Sequence, residues 1–290
     1  MARTGSKYAA SPATIADVHK QSDQRGIPID RTGVSDVSYP IVVFDRNQNR
    51  QHTVAKISMG VNLRQQVKGT HMSRFIEILN EYEGEMTIHS LPVILRRLKE
   101  RLGADNAHME VTFPFFLERI APESGAKGLM DYECSLIGEL EGDEDRFILR
   151  VRVPVASLCP CSKKISDYGA HNQRGYVTID VRCSSSKEGI PAMVWAEDLI
   201  DIAEKSASAP VYPLLKRPDE RYVTMQAYDN PVFVEDIARG VAKRLEKDQR
   251  IAWFQVQVVN HESIHSHNVF ACVEWTRPKV ERKKKSNDAK

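Results

Sequence analysis

The residues best suited to chemistry lie in two short segments, far apart in the chain. The first runs Leu158-Cys159-Pro160-Cys161-Ser162-Lys163-Lys164 and on through Gly169-Ala170-His171-Asn172-Gln173-Arg174. Cys159 and Cys161 are too close for the spacer of a zinc knuckle or a thioredoxin-type dithiol, so one thiol only is expected to face a metal with His171. A thiolate with an imidazole suits zinc or iron. Two ligands are one short of the usual protein set of a catalytic site, which also leaves a position for water. A structural loop with a buried Cys and a surface His accounts for the same residues. The second segment is His261-Glu262-Ser263-Ile264-His265-Ser266-His267. His265 and His267 alternate, so on an extended backbone they point the same way. With Glu262 they supply metal ligands, or general acids and bases active near neutral pH; a solvated polar turn is the plainer alternative. Carboxylates form a third group. Glu220 lies in the charged, Pro-broken segment Lys216-Arg217-Pro218-Asp219-Glu220-Arg221, and Glu235 falls one turn into a helix opened by Asn230-Pro231, where the dipole favours an anion. Either is equally well read as surface charge. The chain has no P-loop, no Gly-x-Gly-x-x-Gly and no Gly-x-Ser-x-Gly elbow, and it lacks the His-Glu patterns of zinc deaminases and zincins.

Groups of this kind need a scaffold, and the apolar periodicity outlines one. Residues 1–35 are polar and aperiodic, an N-terminal arm suited to lying over a neighbouring subunit. Residues 39–44 and 52–63 read as a hairpin around Asn47-Gln48-Asn49. Met72, Phe75, Ile76, Leu79 and Tyr82 recur at helical spacing, as do Ile94, Leu95, Leu98 and Leu102 after Ser90. Strand-like runs follow at 108–119, 130–140 and 146–155. The second half repeats the scheme, with strands at 146–155 and 175–183, helices at 196–207 and from 231 (Phe233, Ile237, Val241, Leu245), and a closing hairpin of 251–260 and 269–276. The order strand-strand-helix-helix-strand-strand thus occurs twice, without a residue-level repeat. The expected class is α+β, antiparallel sheets backed by paired helices, in modules 36–145 and 146–276 followed by a basic tail, 277–290.

Composition limits the classes of function. A 41% hydrophobic fraction excludes disorder throughout. No stretch approaches the roughly 18–20 apolar residues of a membrane helix, and the first residues lack the apolar core of a secretory signal. Five cysteines (Cys134, Cys159, Cys161, Cys183, Cys272) are too few, and odd in number, for a disulfide framework, which points to reduced thiols and a cytoplasmic location. The 41 basic and 39 acidic residues look balanced, but residues 277–290 hold seven of the former and two of the latter. The body keeps 34 basic and 37 acidic residues, a net charge of −3. A mildly acidic body argues against nucleic acid and must gather its cations locally if it is to hold a polyanion.

Five ordered motifs carry a resemblance. Gln66-Val67-Lys68-Gly69-Thr70-His71-Met72-Ser73-Arg74-Phe75, Cys159-Pro160-Cys161-Ser162-Lys163, Gly169-Ala170-His171-Asn172-Gln173-Arg174, Leu215-Lys216-Arg217-Pro218-Asp219-Glu220 and Glu262-Ser263-Ile264-His265-Ser266-His267 together resemble the type IB GTP cyclohydrolases, the prokaryotic family that starts folate synthesis. The resemblance covers about residues 36 to 277. It implies a tunnelling fold with two ββααββ modules per chain, and a homotetramer with active sites at subunit interfaces. By motif, Cys159, His171 and Glu220 resemble the family's ligands to a divalent metal (zinc, manganese or iron(II)), and Glu262, His265 and His267 its acid–base group, with one of those two His open to approaching the metal as well. Glu235 resembles the carboxylate that anchors the guanine edge, and Cys161 has no implied role.

The implied reaction suits these residue types. Opening the guanine imidazole ring requires water at C8, and a metal held by thiolate, imidazole and carboxylate lowers the pKa of bound water. Protons must reach N7 and later N9, a task for two His and a Glu. Formamide hydrolysis then releases formate, and rearrangement with reclosure gives 7,8-dihydroneopterin triphosphate. Lys68, Lys163, Lys164, Arg174, Lys216 and Arg217 are candidate partners for the triphosphate. Two alternatives stand beside this reading. A nitrile reductase of the same fold would use Cys159 or Cys161 as nucleophile with NADPH and would leave His265 and His267 without a role. A metal-stabilised binding module would use the basic tail and leave both polar clusters unexplained.

Overall fold

Alternation of buried and exposed side chains runs through strands of up to 16 residues, which join into a single sheet in the computed structural model. The structure describes residue 19 and residues 21–82, 86–87, 90–142, 144–184 and 193–278. The first half comprises β1 (Ile29–Phe44), β2 (Arg50–Leu63), α1 (Ser73–Asn80), α2 (Ser90–Leu102), β3 (Asn106–Ile120) and β4 (Lys127–Glu141). The second comprises β5 (Glu144–Leu158), α3 (Pro160–Ile165), β6 (Asn172–Cys183), α4 (Ala196–Glu204), β7 (Ala209–Pro210), α5 (Arg217–Asp229), α6 (Val234–Lys247), β8 (Ile251–Asn260) and β9 (Val269–Thr276). The sheet order is β1-β2-β3-β4-β5-β6-β8-β9, every pair antiparallel, with β7 added beside β5.

The expected strand-strand-helix-helix-strand-strand order is present in the first half, the second keeps it with α3, β7 and α5 inserted, and β4 pairs with β5 to make the two sheets one. One sheet face is apolar. Met109, Val111, Phe113 and Phe115 of β3, Val151, Val153 and Val155 of β5, and Val177 and Ile179 of β6 are all buried. Helices cover that face with apolar stripes at helical spacing: Leu91, Ile94, Leu95 and Leu98 of α2, and Val234, Ile237, Ala238, Val241 and Leu245 of α6. Each fully buried Val, Leu or Ile contributes roughly 1.5–3 kcal/mol relative to exposure.

The structure differs from the sequence reading at several boundaries. β1 begins at Ile29, inside the segment read as arm, because its pairing with β2 needs no apolar alternation. Two register shifts and the positive φ of Asp36 (56°) break whatever alternation there is. The division after residue 145 falls just inside β5. α6 starts at Val234, with Phe233 as its half-exposed N-cap rather than a core residue. Arg277 belongs to the body and not to the tail, since its guanidinium donates to the Ile251 and Asp248 carbonyls and lies over Trp275. Residues 1–18, 20 and 279–290 of the expected arm and tail lie outside the described residues.

The charged segment after residue 215 is in fact a helix, α5. Pro218 sits in its first turn, where a missing N–H costs little, so it starts the helix instead of breaking it. Asp219 is fully buried there. Its Oδ1 accepts the N–H groups of Glu123 and Ser124 at 2.8 Å, and its Oδ2 accepts the Ser124 hydroxyl at 2.6 Å and the Lys216 N–H at 2.8 Å. This one carboxylate caps α5 and ties it to the β3–β4 turn. Burial alone pushes the Asp219 carboxyl up, but the hydrogen bonds from Ser124, Lys216 and Glu123 outweigh it and hold the group well below the usual carboxylate range. A depressed folded pKa contributes stability that is present above the unfolded value of about 4 and is lost as pH falls below it. Asp219→Asn, which mimics the protonated acid, is therefore expected to lower the melting temperature at neutral pH, with the gap from wild type narrowing below about pH 4. Thermal melts across that range check this, and a gap that stays constant on acidification contradicts it.

Candidate functional site

The β5–β6 ladder brings the two ends of the Cys/His segment together. Ser157 faces Gln173 and Leu158 faces Asn172 in its last rungs, and the Cys159 N–H then donates to the His171 carbonyl at 3.1 Å. Cys159 is also the N-cap of α3, with the Ser162 N–H directed at its Sγ at 3.5 Å. The Ser162 hydroxyl closes the neck by accepting the His171 N–H at 3.1 Å. Two residues twelve positions apart in sequence thus become neighbours. Cys161 is exposed on α3, which leaves Cys159 as the thiol tied to His171.

A second set of contacts reaches His171 from the other side. His171 directly precedes β6 and Gln173 is the second residue of that strand, and their side chains meet. Gln173 Oε1 lies 2.8 Å from His171 Nδ1, and Gln173 Nε2 donates to Glu262 Oε1 at 3.3 Å. Glu262 Oε2 stands 3.8 Å from the same Nδ1, and the His171 and Glu262 side chains are 12% and 8% exposed. Glu262 is delivered by β8, whose last residue, Asn260, pairs with Gly175, after which the His261 N–H donates to the Arg174 carbonyl at 2.9 Å.

Beneath this group the packing is close. Asn260 Nδ2 donates to Ser157 Oγ at 3.0 Å, and that hydroxyl donates to the Val232 carbonyl at 3.3 Å. A Cβ at Gly175 would stand 2.5 Å from Asn260 Oδ1 and 3.3 Å from Val155 Cγ2. Gly175→Ala is therefore expected to displace Asn260 and to cost about 1–3 kcal/mol, the usual penalty of overpacking. Urea unfolding measures it, and an unchanged midpoint contradicts it.

The remaining sequence-derived residues lie at the surface. His265 and His267 are exposed, their rings stacked on each other with centroids 5.2 Å apart. Glu220 is exposed in the first turn of α5, its neighbour Asp219 having taken the inward position, and Glu235 is exposed in the first turn of α6. Among the described residues no three His, Cys, Asp or Glu side chains converge closely enough to hold a metal ion. The chain therefore gathers Cys159 and His171 but not Glu220. Those two fit a divalent metal as donors, being a soft thiol and an imidazole whose Nδ1 already has a protein partner. Of the candidate cations, Lys68 donates to Gln21 Oε1 at 2.8 Å, and Lys163 donates to the Tyr228 carbonyl and lies over that ring. Lys164, Arg174, Lys216 and Arg217 are exposed. Sequence reasoning gave no role to Gln173, Asp219 or Asn260. The His-x-Gln alternation was the available signal for the first, and the Lys-x-x-Asp capping spacing for the second.

A family profile described as type I GTP cyclohydrolase folE2 matches residues 15–271. The chain belongs to that family. GTP cyclohydrolase FolE2 of Geobacter sp. (strain M21) is 51% identical over 271 residues, 93% of this chain and 98% of that relative. The FolE2 protein of Nitrosomonas eutropha is 52% identical over 266 residues, 91% of this chain and 97% of its own length. Among solved structures, uricase from Arthrobacter globiformis superposes with a TM-score of 0.51 at 10% identity, covering 88% of this chain and 96% of that one. That likeness shows the fold, and the expected α+β tunnelling fold is the one observed. Membership of the FolE2 family places the cyclohydrolase reading above the nitrile reductase and the binding module. No described helix is long and apolar enough to cross a membrane.

Proposed function

We infer that the protein is a GTP cyclohydrolase, converting GTP and water to formate and 7,8-dihydroneopterin triphosphate at the start of folate biosynthesis. The observation that carries this reading is the match to the FolE2 family along nearly the whole chain. The hydrogen-bonded His171–Gln173–Glu262 group beside Cys159 supports it with chemistry of the right kind. Glu262, His265 and His267 move protons: one is taken from the water that adds at C8, and others are delivered to N7 and N9 as the ring opens and the formamide is hydrolysed. Glu235 accepts N–H groups of the guanine edge, and its exposure in the first turn of α6 suits contact with an arriving ligand. Exposed Lys164, Arg174, Lys216 and Arg217 are the cations open to the triphosphate. Cys159 and His171 would hold zinc, manganese or iron(II), which supplies a Lewis acid toward water when bound. Glu220 would be the third ligand, although a single chain does not gather it with them.

The working unit is a homotetramer with sites between subunits, located in the cytoplasm. Strand pairing supports the first point. The Gln66 to Phe75 motif follows the end of β2 beside the starts of β1 and β3, whereas Cys159 follows the end of β5, at the opposite end of the sheet. A second chain can unite motifs that one chain keeps apart, and among the described residues β1 and β9 end the sheet with edges available for pairing. Five free thiols agree with a reducing compartment. The test is incubation of the purified protein with GTP and zinc, manganese or iron(II), with assay of formate and of the fluorescent oxidised pterin. Both products are expected, and no formate with any divalent metal overturns the reading.

A further inference from the structure

Gln173 belongs to the Gly169 to Arg174 motif, yet nothing in the reaction as described uses it. It is nine-tenths buried, at 8% exposure, and its amide lies between two groups of the site. The orientation of that amide has a consequence for His171. A carboxylate only accepts hydrogen bonds, so the side of Gln173 facing Glu262 must be Nε2, the donor. Oε1 then faces His171 Nδ1 at 2.8 Å, and an amide oxygen only accepts. Nδ1 must therefore carry a proton, and in the neutral ring Nε2 is left with its lone pair.

We propose that Gln173 is a positioning residue: its amide joins the Glu262 carboxylate to His171 Nδ1 and thereby holds the imidazole in the tautomer whose bare Nε2 can bind a divalent metal. The tautomer half of the proposal stands on the contacts alone, while the metal half rests on the function inferred above. Outer partners of this kind orient a ligating ring, and their loss commonly costs about 10–100-fold in metal affinity. Rotation of the amide is not free, because turning it would set Oε1 against the carboxylate and Nε2 against a ring nitrogen that then needs the opposite tautomer. Gln173 thus links the orientation of the acid–base carboxylate to the protonation pattern of the neighbouring imidazole.

The test compares wild type with Gln173→Met, which keeps length but has no amide, and Gln173→Glu, which keeps an oxygen for His171 and faces Glu262 by sharing one proton between the two carboxyl groups. The first readout is the ring 15N spectrum of histidine-labelled, metal-free protein, with the His171 signals identified by their loss in His171→Gln. Wild type is expected to show the Nδ1–H tautomer, and Gln173→Met a shift toward Nε2–H. The second is affinity for zinc and for manganese, by chelator competition. Gln173→Met is expected to bind about 10–100-fold more weakly at a melting temperature close to wild type, with Gln173→Glu nearer to wild type in affinity. Unchanged ring signals in Gln173→Met overturn the proposal. So does an equal loss of affinity in both variants that tracks a fall in melting temperature, which marks a purely structural role. If wild type itself binds no divalent metal, the metal reading falls, and the spectrum of the metal-free protein still decides the tautomer.

Discussion

Cys159→Ala is expected to abolish formate release from GTP, whereas Cys161→Ala keeps most of it. The two thiols are two residues apart but differ in surroundings. Cys159 closes the neck of the β5–β6 connection, its N–H bonded to the His171 carbonyl and its Sγ facing the Ser162 N–H, while Cys161 is exposed. Replacing the Cys159 side chain leaves the backbone bond intact, so the neck persists and the loss falls on what the sulfur does. Its one structural duty in this position is to cap α3, and a serine performs that duty well. Cys159→Ser is therefore expected to melt like wild type and yet to be as inactive as the alanine variant. Metal content after dialysis should fall with activity in both. Activity that survives in Cys159→Ser and vanishes in Cys161→Ala would reverse the assignment.

Glu262→Gln should lower kcat by roughly 10²–10⁴-fold, the usual contribution of a positioned general acid or base. The substitution preserves shape, and the site lies at a turn after β8, so the melting temperature should change little. Glu262 differs from His265 and His267 in that its side chain is only 8% exposed and already joined to His171 through Gln173, whereas the two imidazoles stand exposed and stacked. Its loss therefore removes a preorganised group, which cannot be replaced by solvent. The KM for GTP is expected to stay near wild type, because the carboxylate assigned to the guanine edge is Glu235, on a different helix. Steady-state kinetics with formate detection separate the two parameters. A kcat within about tenfold of wild type, below the range of such a group, would remove Glu262 from the proton-transfer role.

The backbone of the fold was readable because each element declares itself locally. β3 alternates strictly, α2 and α6 carry apolar stripes, and the Asn260 to His267 turn is flanked by β-rich runs. Elements whose stability comes from elsewhere were not readable. α5 has a weak apolar face, and it forms because a buried carboxylate, Asp219, receives hydrogen bonds from a turn about 95 residues earlier in the chain. The first residues of β1 show no alternation, and they are strand because β2 offers them a partner.

The candidate site divides in the same way. Residue type and spacing were enough to mark the Cys159/Cys161 segment with His171 and the Glu262, His265 and His267 cluster, since thiols, imidazoles and carboxylates are the groups that can ligate metals or move protons. The choice of Cys159 and of Glu220 came instead from the resemblance to the type IB cyclohydrolases. Which of them meet is a property of strand register. Pairing of Leu158 with Asn172 sets Cys159 against His171, and pairing of Gly175 with Asn260 lowers Glu262 onto Gln173. No local pattern encodes those distances, because a register is chosen by the packing of a whole sheet face and a slip of one residue reverses every side chain. Gln173 shows the difference most plainly. As a residue type it is an unremarkable amide, and it acquires a part in the chemistry only because the sheet places it between a carboxylate and an imidazole.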